Sequence, residues 1–401
     1  MSPVPVLIAA HVCSMLGYAI YAALLPQLRD GWGLSNAQAG IVGGMFFGGY
    51  VVTVSFWTGL TDRGDARRVY AAASLVAAAG SAGFGWLAQG FFSASFFQAL
   101  LGAGIAGTYM PGLRLLSDRV SGPGQSRPIS FYTASFGIGT ALSLALGGAV
   151  AGQAGWRAAF LAAAVGPLVA GALVLAFIAP LPQAPSPARS VVPFLSWGPI
   201  LRHRESMGYI VGYAVHCLEL FGSRSWMVAF LTFSALLQPP DRGFPWSPQN
   251  IAATVNLAAV AASIGGNEAA LRVGRRRWIL LAMAASGAFG ILLGSSARWP
   301  WTVVVVLLIV YSMLVMAESA TLTAGLVAAA PPELRGAAMG LYSLVGFGGG
   351  MIGPVIYGAA LDAAGGARNP LAWVAAYAAI GSGCLLAPIA ARWFGGQRLP
   401  E

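Results

Sequence analysis

The strongest constraint on this chain is a succession of apolar stretches, each roughly 20 residues or longer, with almost no charge inside them. A run of about that length crosses the hydrocarbon core of a bilayer as one helix. In hydrocarbon every backbone polar group must be satisfied within the protein, so only helices and closed barrels span. A barrel would show alternating hydrophobicity over segments of about 10 residues, and these stretches do not alternate. Boundaries at Gly, Pro or charge predict twelve spans, near 5–28, 36–60, 69–89, 92–116, 128–152, 157–179, 207–234, 249–270, 277–296, 300–328, 335–361 and 371–394. The predicted class is an all-α polytopic membrane protein.

Composition excludes the soluble alternatives. Charged residues make up 8% of the 401, apolar residues 57%, and the mean hydropathy is +0.73. A soluble domain carries roughly 25% charged residues, so this chain cannot cover a water-facing surface. Every basic residue is an arginine, which with the abundant Ala and Gly fits a GC-rich bacterial genome. The net charge of +10 raises nucleic acid as a partner. The arginines, however, fall in short loops between spans, which is the positive-inside signal of a membrane protein. The expected partner is the lipid bilayer and not nucleic acid. Cys13, Cys217 and Cys384 lie far apart inside apolar spans and read as buried small hydrophobes, with no metal site. Met-Ser-Pro lacks a basic n-region, so the first apolar stretch is expected to be a retained helix.

Alternate loops are rich in arginine: Arg63, Arg67 and Arg68; Arg119 and Arg127; Arg189, Arg202 and Arg204; Arg272 and Arg275 to Arg277; Arg335. The other set holds only Arg29, Arg157, Arg242, Arg298 and Arg368. The bias places the first set, and both termini, in the cytoplasm. The longest link on that side begins Pro180-Leu-Pro-Gln-Ala-Pro-Ser-Pro. Proline at that density reads as an extended linker. It divides the chain into residues 1–180, a linker 181–206, and residues 207–401.

The two halves echo one another. Ser35 opens span two and Ser247 opens span eight, both in helix N-cap positions. Arg63 and Arg67-Arg68 follow span two, as Arg272 and Arg275 to Arg277 follow span eight. Trp156-Arg-Ala-Ala-Phe160 begins span six, and Trp373-Val-Ala-Ala-Tyr377 lies in span twelve. Internal repeats of this kind mark transporter folds.

With these features the chain resembles the major facilitator superfamily over essentially its whole length. The loop Thr58-Gly-Leu-Thr-Asp62-Arg63-Gly-Asp-Ala-Arg67-Arg68 is similar to the family's motif between helices two and three, with its glycines displaced. The resemblance implies two pseudo-symmetric six-helix bundles. It also implies a cytoplasmic latch in which Asp62, Arg63, Arg67 and Arg68 bind and release helix ends. The glycine ladders of spans two, five and eleven and the alanine-rich span eight fall where that fold joins its bundles, and small residues allow close, sliding contact. Two departures count against a drug–proton antiporter of the usual kind. Gln98 stands four residues before Gly102, where some members have arginine. Span five reads Ser143-Leu-Ala-Leu-Gly147-Gly148, without a Gly-Pro pair.

Of twelve carboxylates, only Glu219 and Glu318 lie well inside spans. An ionisable residue at such depth is expensive and marks a functional site by default. At helical rise, Glu219 is about 18 Å from the start of span seven, and Arg224 is about 7 Å further out. His216, three residues before Glu219, shares its helical face. Two readings stand here. In one, Glu219 accepts protons, tuned by His216, while Arg224 anchors an anionic group through its planar fork; Gly222-Ser223 kinks the helix to turn the guanidinium round. In the other, Glu219 is bonded to His216 or a hydroxyl within a structural network, and Arg224 reaches the outer interface. Glu318, closer to the cytoplasm, is a coupling or gating candidate. Tyr18, Tyr21, Trp226 and Asn256 head the polar and aromatic residues able to line a small-solute cavity, with Tyr109, Tyr132, Tyr311 and Tyr342 behind them. His11 reads as a satisfied packing histidine, and Arg114 as one that snorkels to the cytoplasmic interface.

Together these features predict a secondary transporter of a bacterial inner membrane and not an enzyme. It would act as a monomer, moving a small-molecule substrate by alternating access. No nucleotide-binding loop is visible and no cofactor is expected, so the proton gradient is the expected energy source. Arg224 and the two departures point to symport of a small organic anion. Efflux of hydrophobic compounds, or a non-transporting sensor on the same scaffold, are the alternatives.

Overall fold

The computed structural model describes residues 2–120, 126–181, 197–239, 241 and 243–394, without the side chains of Asp62, Ser126, Glu333, Pro388 and 390–394. Among these residues all regular structure is helical. Span one is split into α1 (Pro3–Ser14) and α2 (Ile20–Gly31). There follow α3 (Asn36–Arg63), α4 (Ala66–Leu87), α5 (Phe91–Ser117) and the long α6 (Ser126–Phe177). The short α7 (Gly198–Arg202) leads into α8 (Arg204–Leu237), α9 (Pro248–Val273) and α10 (Arg275–Ser295). Span ten is split into α11 (Trp301–Met316) and α12 (Ser319–Ala329), and α13 (Arg335–Ala363) and α14 (Pro370–Phe394) close the chain. Ten helical runs are long and apolar enough to cross a membrane. The run through α6 holds two spans and α9 supplies one more, which gives the twelve expected. They form two six-helix bundles, α1–α6 and α8–α14.

Local chemistry explains the boundaries. Ser35 and Gln38 form a reciprocal capping box at the start of α3. Ser247 accepts from the Asn250 amide at the start of α9, so both echoed serines are caps. Within α6 the backbone turns at Gly155, whose φ of 82° lies in the left-handed region that glycine enters freely. Just beyond, Arg157 stacks on Trp156 at 4.5 Å and donates to the Gly85 and Trp86 carbonyls that end α4. The matching Trp373 donates to the Ala367 carbonyl and packs on Phe233 and Tyr357.

The molecule divides into two compact units. The first is built on α1–α6 and takes in Ser225–Thr232 and Phe244–Leu257; the second holds the remainder of α8–α14. In the first unit α3 and α5 approach so closely at Gly102 that a Cβ there would overlap the Phe46 carbonyl. Small residues at span interfaces allow such contact. Most of the proposed linker, residues 182–196, lies outside the described residues; its far end forms α7.

Candidate functional site

The second bundle buries both intramembrane carboxylates completely, at 0% exposure for Glu219 and Glu318. Helix α8 runs unbroken from Arg204 to Leu237 and sets His216 and Glu219 one turn apart on one face. Span ten runs antiparallel to it and presents Tyr311 and Glu318. The result is a two-rung ladder. On one rung Glu219 accepts from the Tyr311 hydroxyl at 3.2 Å and, on its other oxygen, from Ser286 of α10 at 2.8 Å. On the other rung His216 Nδ1 lies 3.1 Å from Glu318 Oε1.

Of the two partners expected for Glu219, His216 or a hydroxyl, the structure shows hydroxyls, and His216 pairs with Glu318 instead. Three residues of spacing bring the His216 and Glu219 side chains to one face, but each then reaches across to a different helix. Ser286 escaped the sequence reading because a serine in an Ala- and Gly-rich helix carries no distinguishing pattern. Tyr311 was a lining candidate and proves to be a hydrogen-bond donor to Glu219.

The expected kink at Gly222-Ser223 is absent. Ser223 donates to the Leu220 carbonyl in an ordinary helical back-bond, and Gly222 packs against the Gly353 backbone. The irregular backbone is in span ten instead, where α11 ends and Glu318 occupies the N-cap position of α12. Two features support this break. The Trp278 indole of α10 donates to the Ala317 carbonyl at 2.9 Å, and Gly266 of α9 lies so close to that carbonyl that a Cβ would overlap it. Interrupted helices in membrane proteins occur where the freed groups are buried in protein or line a cavity. Glu318 Oε2, His216 Nε2 and Thr321 Oγ1, one turn beyond Glu318, are buried without a hydrogen-bond partner among the described residues.

Arg224 is half-buried, and its guanidinium donates to the Met316 sulfur at 3.5 Å, the last residue of α11. It thus reaches span ten beside the break. Trp226 is fully buried, and Asn256 is buried with its amide on the Ala252 carbonyl of its own helix.

In the first bundle span one breaks at Met15–Gly17, and Ser143 bridges the gap, accepting from the Ala19 amide and donating to the Leu16 carbonyl. Tyr21 donates to the Ala39 carbonyl, while Tyr18 meets Phe46, Phe47 and Phe136 through ring contacts. His11 is buried against Tyr132 and Tyr109, with neither ring nitrogen hydrogen-bonded among the described residues. It packs as expected but is not satisfied. Repeat-equivalent helices therefore carry a histidine each, one beside a carboxylate and one among rings.

At the end of α3 the side chain of Asp62 lies outside the described residues, and Arg63 and Arg68 are exposed. The carboxylate seen to act is Asp65. It caps α4 by accepting from the Arg67 amide, and it pairs with the Arg67 guanidinium at 2.6 Å. The hydrogen bond from Arg67 holds the Asp65 carboxyl below the ordinary carboxylate range. Arg67 also donates to the Ile178 carbonyl, and Arg119 to that of Ala179, so two arginines fasten the end of span six. Arg114, expected to snorkel, donates to Thr61 near the end of α3.

The fold and these buried polar groups define a polytopic helical membrane protein with a charged interior. Its sequence matches the Major Facilitator Superfamily over residues 7–267. The chain belongs to that family, and it is a transporter and not an enzyme. No curated protein sequence matches it significantly. Among solved structures, a bacterial homologue of the human lysosomal transporter Spinster, inward-facing and unoccupied, has a TM-score of 0.76 at 16% identity, covering 98% of this chain and 95% of that one. The nucleoside transporter NupG also reaches 0.76 at 14% identity, with 97% and 99% covered. A peptide transporter bound to alafosfalin reaches 0.73 at 13%, with 98% and 94% covered.

Proposed function

We propose that the chain takes up a small organic anion together with protons by alternating access, across a bacterial inner membrane with both termini in the cytoplasm. The observation that carries this reading is the pair of carboxyl groups at 0% exposure, bonded to Ser286, Tyr311 and His216. An ionised carboxylate costs several kcal/mol in such surroundings. A group there that takes up and gives back a proton couples that cost to the transport cycle. Arg224, five residues beyond Glu219, is the anchor for the anionic group, because its planar fork binds a carboxylate bidentately. The latch role of the signature loop is assigned to Asp62, Arg63, Arg67 and Arg68, and the clasp between Asp65 and Arg67 supports it by fixing Arg67 at the start of α4.

A second reading, efflux of planar hydrophobic compounds, is favoured by the ring cluster of the first bundle, Tyr18, Phe46, Phe47, Tyr109, Tyr132 and Phe136. Purified protein in liposomes that enclose a pH dye separates the two. On our reading, a monocarboxylate or dicarboxylate added outside enters with acidification of the lumen. Proton movement with hydrophobic amines alone would overturn it.

A further inference from the structure

The proton reading leaves open how a proton on the buried His216 and Glu318 pair reaches water. Three hydroxyl groups, those of Thr321, Thr323 and Tyr342, lie beyond that pair inside the second bundle, toward the end that carries Arg275 to Arg277 and Arg335. Thr321 lies one turn beyond Glu318 on α12, fully buried, its hydroxyl without a hydrogen-bond partner among the described residues. Two residues further, Thr323 shares a 2.8 Å hydrogen bond with the Tyr342 hydroxyl of α13. The Tyr342 ring stacks face to face on Tyr213 of α8, with centroids 3.8 Å apart and planes 8° apart. Tyr213 in turn stacks beneath His216 at 5.8 Å. Glu318, His216, Thr321 and Tyr342 are buried, whereas Thr323 and Tyr213 are half-buried.

Hydrocarbon side chains would serve packing equally well at these positions. A buried hydroxyl costs free energy unless it is hydrogen-bonded, and here the Thr323 and Tyr342 hydroxyls are bonded to each other, with the Tyr342 ring joined through Tyr213 to His216. We propose that Thr323 and Tyr342, held by the Tyr213 stack, are the proton gate between the Glu318 and His216 pair and the arginine-rich end. The proton route then lies within the second bundle. This rests on the proton-coupled reading above and adds the path to it.

The transfer balances without redox chemistry. The Glu318 O–H bond breaks as a neighbouring oxygen takes the proton, leaving a carboxylate beside His216. Each of the Thr323 and Tyr342 hydroxyls accepts one proton and releases its own onward. Water spans the gaps and takes the last proton as hydronium. The titratable and charged groups around the pair are Cys217, Glu219 and Arg224 on α8, Cys384 on α14 and Tyr342 on α13.

The test follows protonation itself and so needs no known solute. Protein in liposomes is given a rapid pH jump, and the infrared carboxyl band lost in Glu318→Gln is followed with time. In Thr323→Val, Tyr342→Phe and the double variant, titration of that band should slow about tenfold or more, with its midpoint pH unchanged. Thr323→Ser should restore the wild-type rate. A merely structural role would shift the midpoint and not the rate. Wild-type rates in the double variant would overturn the gate and leave the proton reading standing. A wild-type band that does not titrate between about pH 4 and pH 10 would take down both.

Discussion

Nδ1 of His216 and Oε1 of Glu318 stand 3.1 Å apart, joining span seven to span ten across 102 residues of sequence. Neither side chain reaches solvent. The contact has two proton arrangements, in which the imidazole N–H donates to a carboxylate or a carboxylic acid donates to the imidazole. That makes it a place where a proton is held with little change of geometry.

Removing one partner of a buried pair strands the other, at a cost of about 3–5 kcal/mol. His216→Ala should therefore lower stability by that order in detergent unfolding. The apolar double variant His216→Met with Glu318→Leu should regain most of the loss, because it leaves no stranded group. A double variant as unstable as the single one would show that packing dominates over the pairing.

The Asp65 carboxyl, held low by Arg67, gives a pH dependence of known sign. A group whose folded value is depressed contributes stability above its unfolded value, and the contribution is lost as pH falls through the folded one. Asp65→Asn should melt below the wild type at about pH 6, and the gap should begin to close only as pH falls below about 4, the ordinary aspartate value, vanishing below the depressed folded value. A gap that persists in acid would mean that the cap hydrogen bond matters and the charge does not.

The backbone break beside Glu318 depends on Gly266, since a Cβ there would overlap the Ala317 carbonyl. Overpacking of this kind costs about 1–3 kcal/mol. Gly266→Val should destabilise the protein by about that much, whereas Gly265→Val, at a glycine with open space around it, should not. Equal melting temperatures for the two variants would contradict the close approach.

Arg224→Ala should raise the apparent dissociation constant of the transported anion about tenfold or more, in line with the loss of a bidentate charge-assisted contact. Arg224→Lys should recover only part, because a point charge lacks the planar fork. Equilibrium binding to purified protein measures both. An unaltered constant would assign Arg224 to structure alone.

Much of this was legible in the sequence because the bilayer imposes length. Twelve apolar runs and the echoed caps at Ser35 and Ser247 each follow from local chemistry. So did the choice of Glu219, Glu318 and His216, since charge inside an apolar run is costly wherever it falls. What could not be read was the pairing. Which helix faces His216 is decided by tertiary packing, and both Glu219, on its own helix, and Glu318, on span ten, sit within its reach by depth. The break in span ten escaped for a related reason. Met316-Ala-Glu-Ser contains neither Gly nor Pro, and the supports that make the break tolerable, Trp278 and Gly266, come from other helices.

The most direct test of proton coupling at the buried acids is transport by Glu219→Gln in liposomes, measured two ways with the same solute. Glutamine keeps the shape and can accept from one of Ser286 and Tyr311 through its carbonyl oxygen while its amide N–H donates to the other hydroxyl, but it cannot carry the proton. The account expects uptake driven by a pH gradient to be abolished while counterflow exchange, which needs no net proton movement, continues. Unchanged pH-driven uptake in this variant would contradict it.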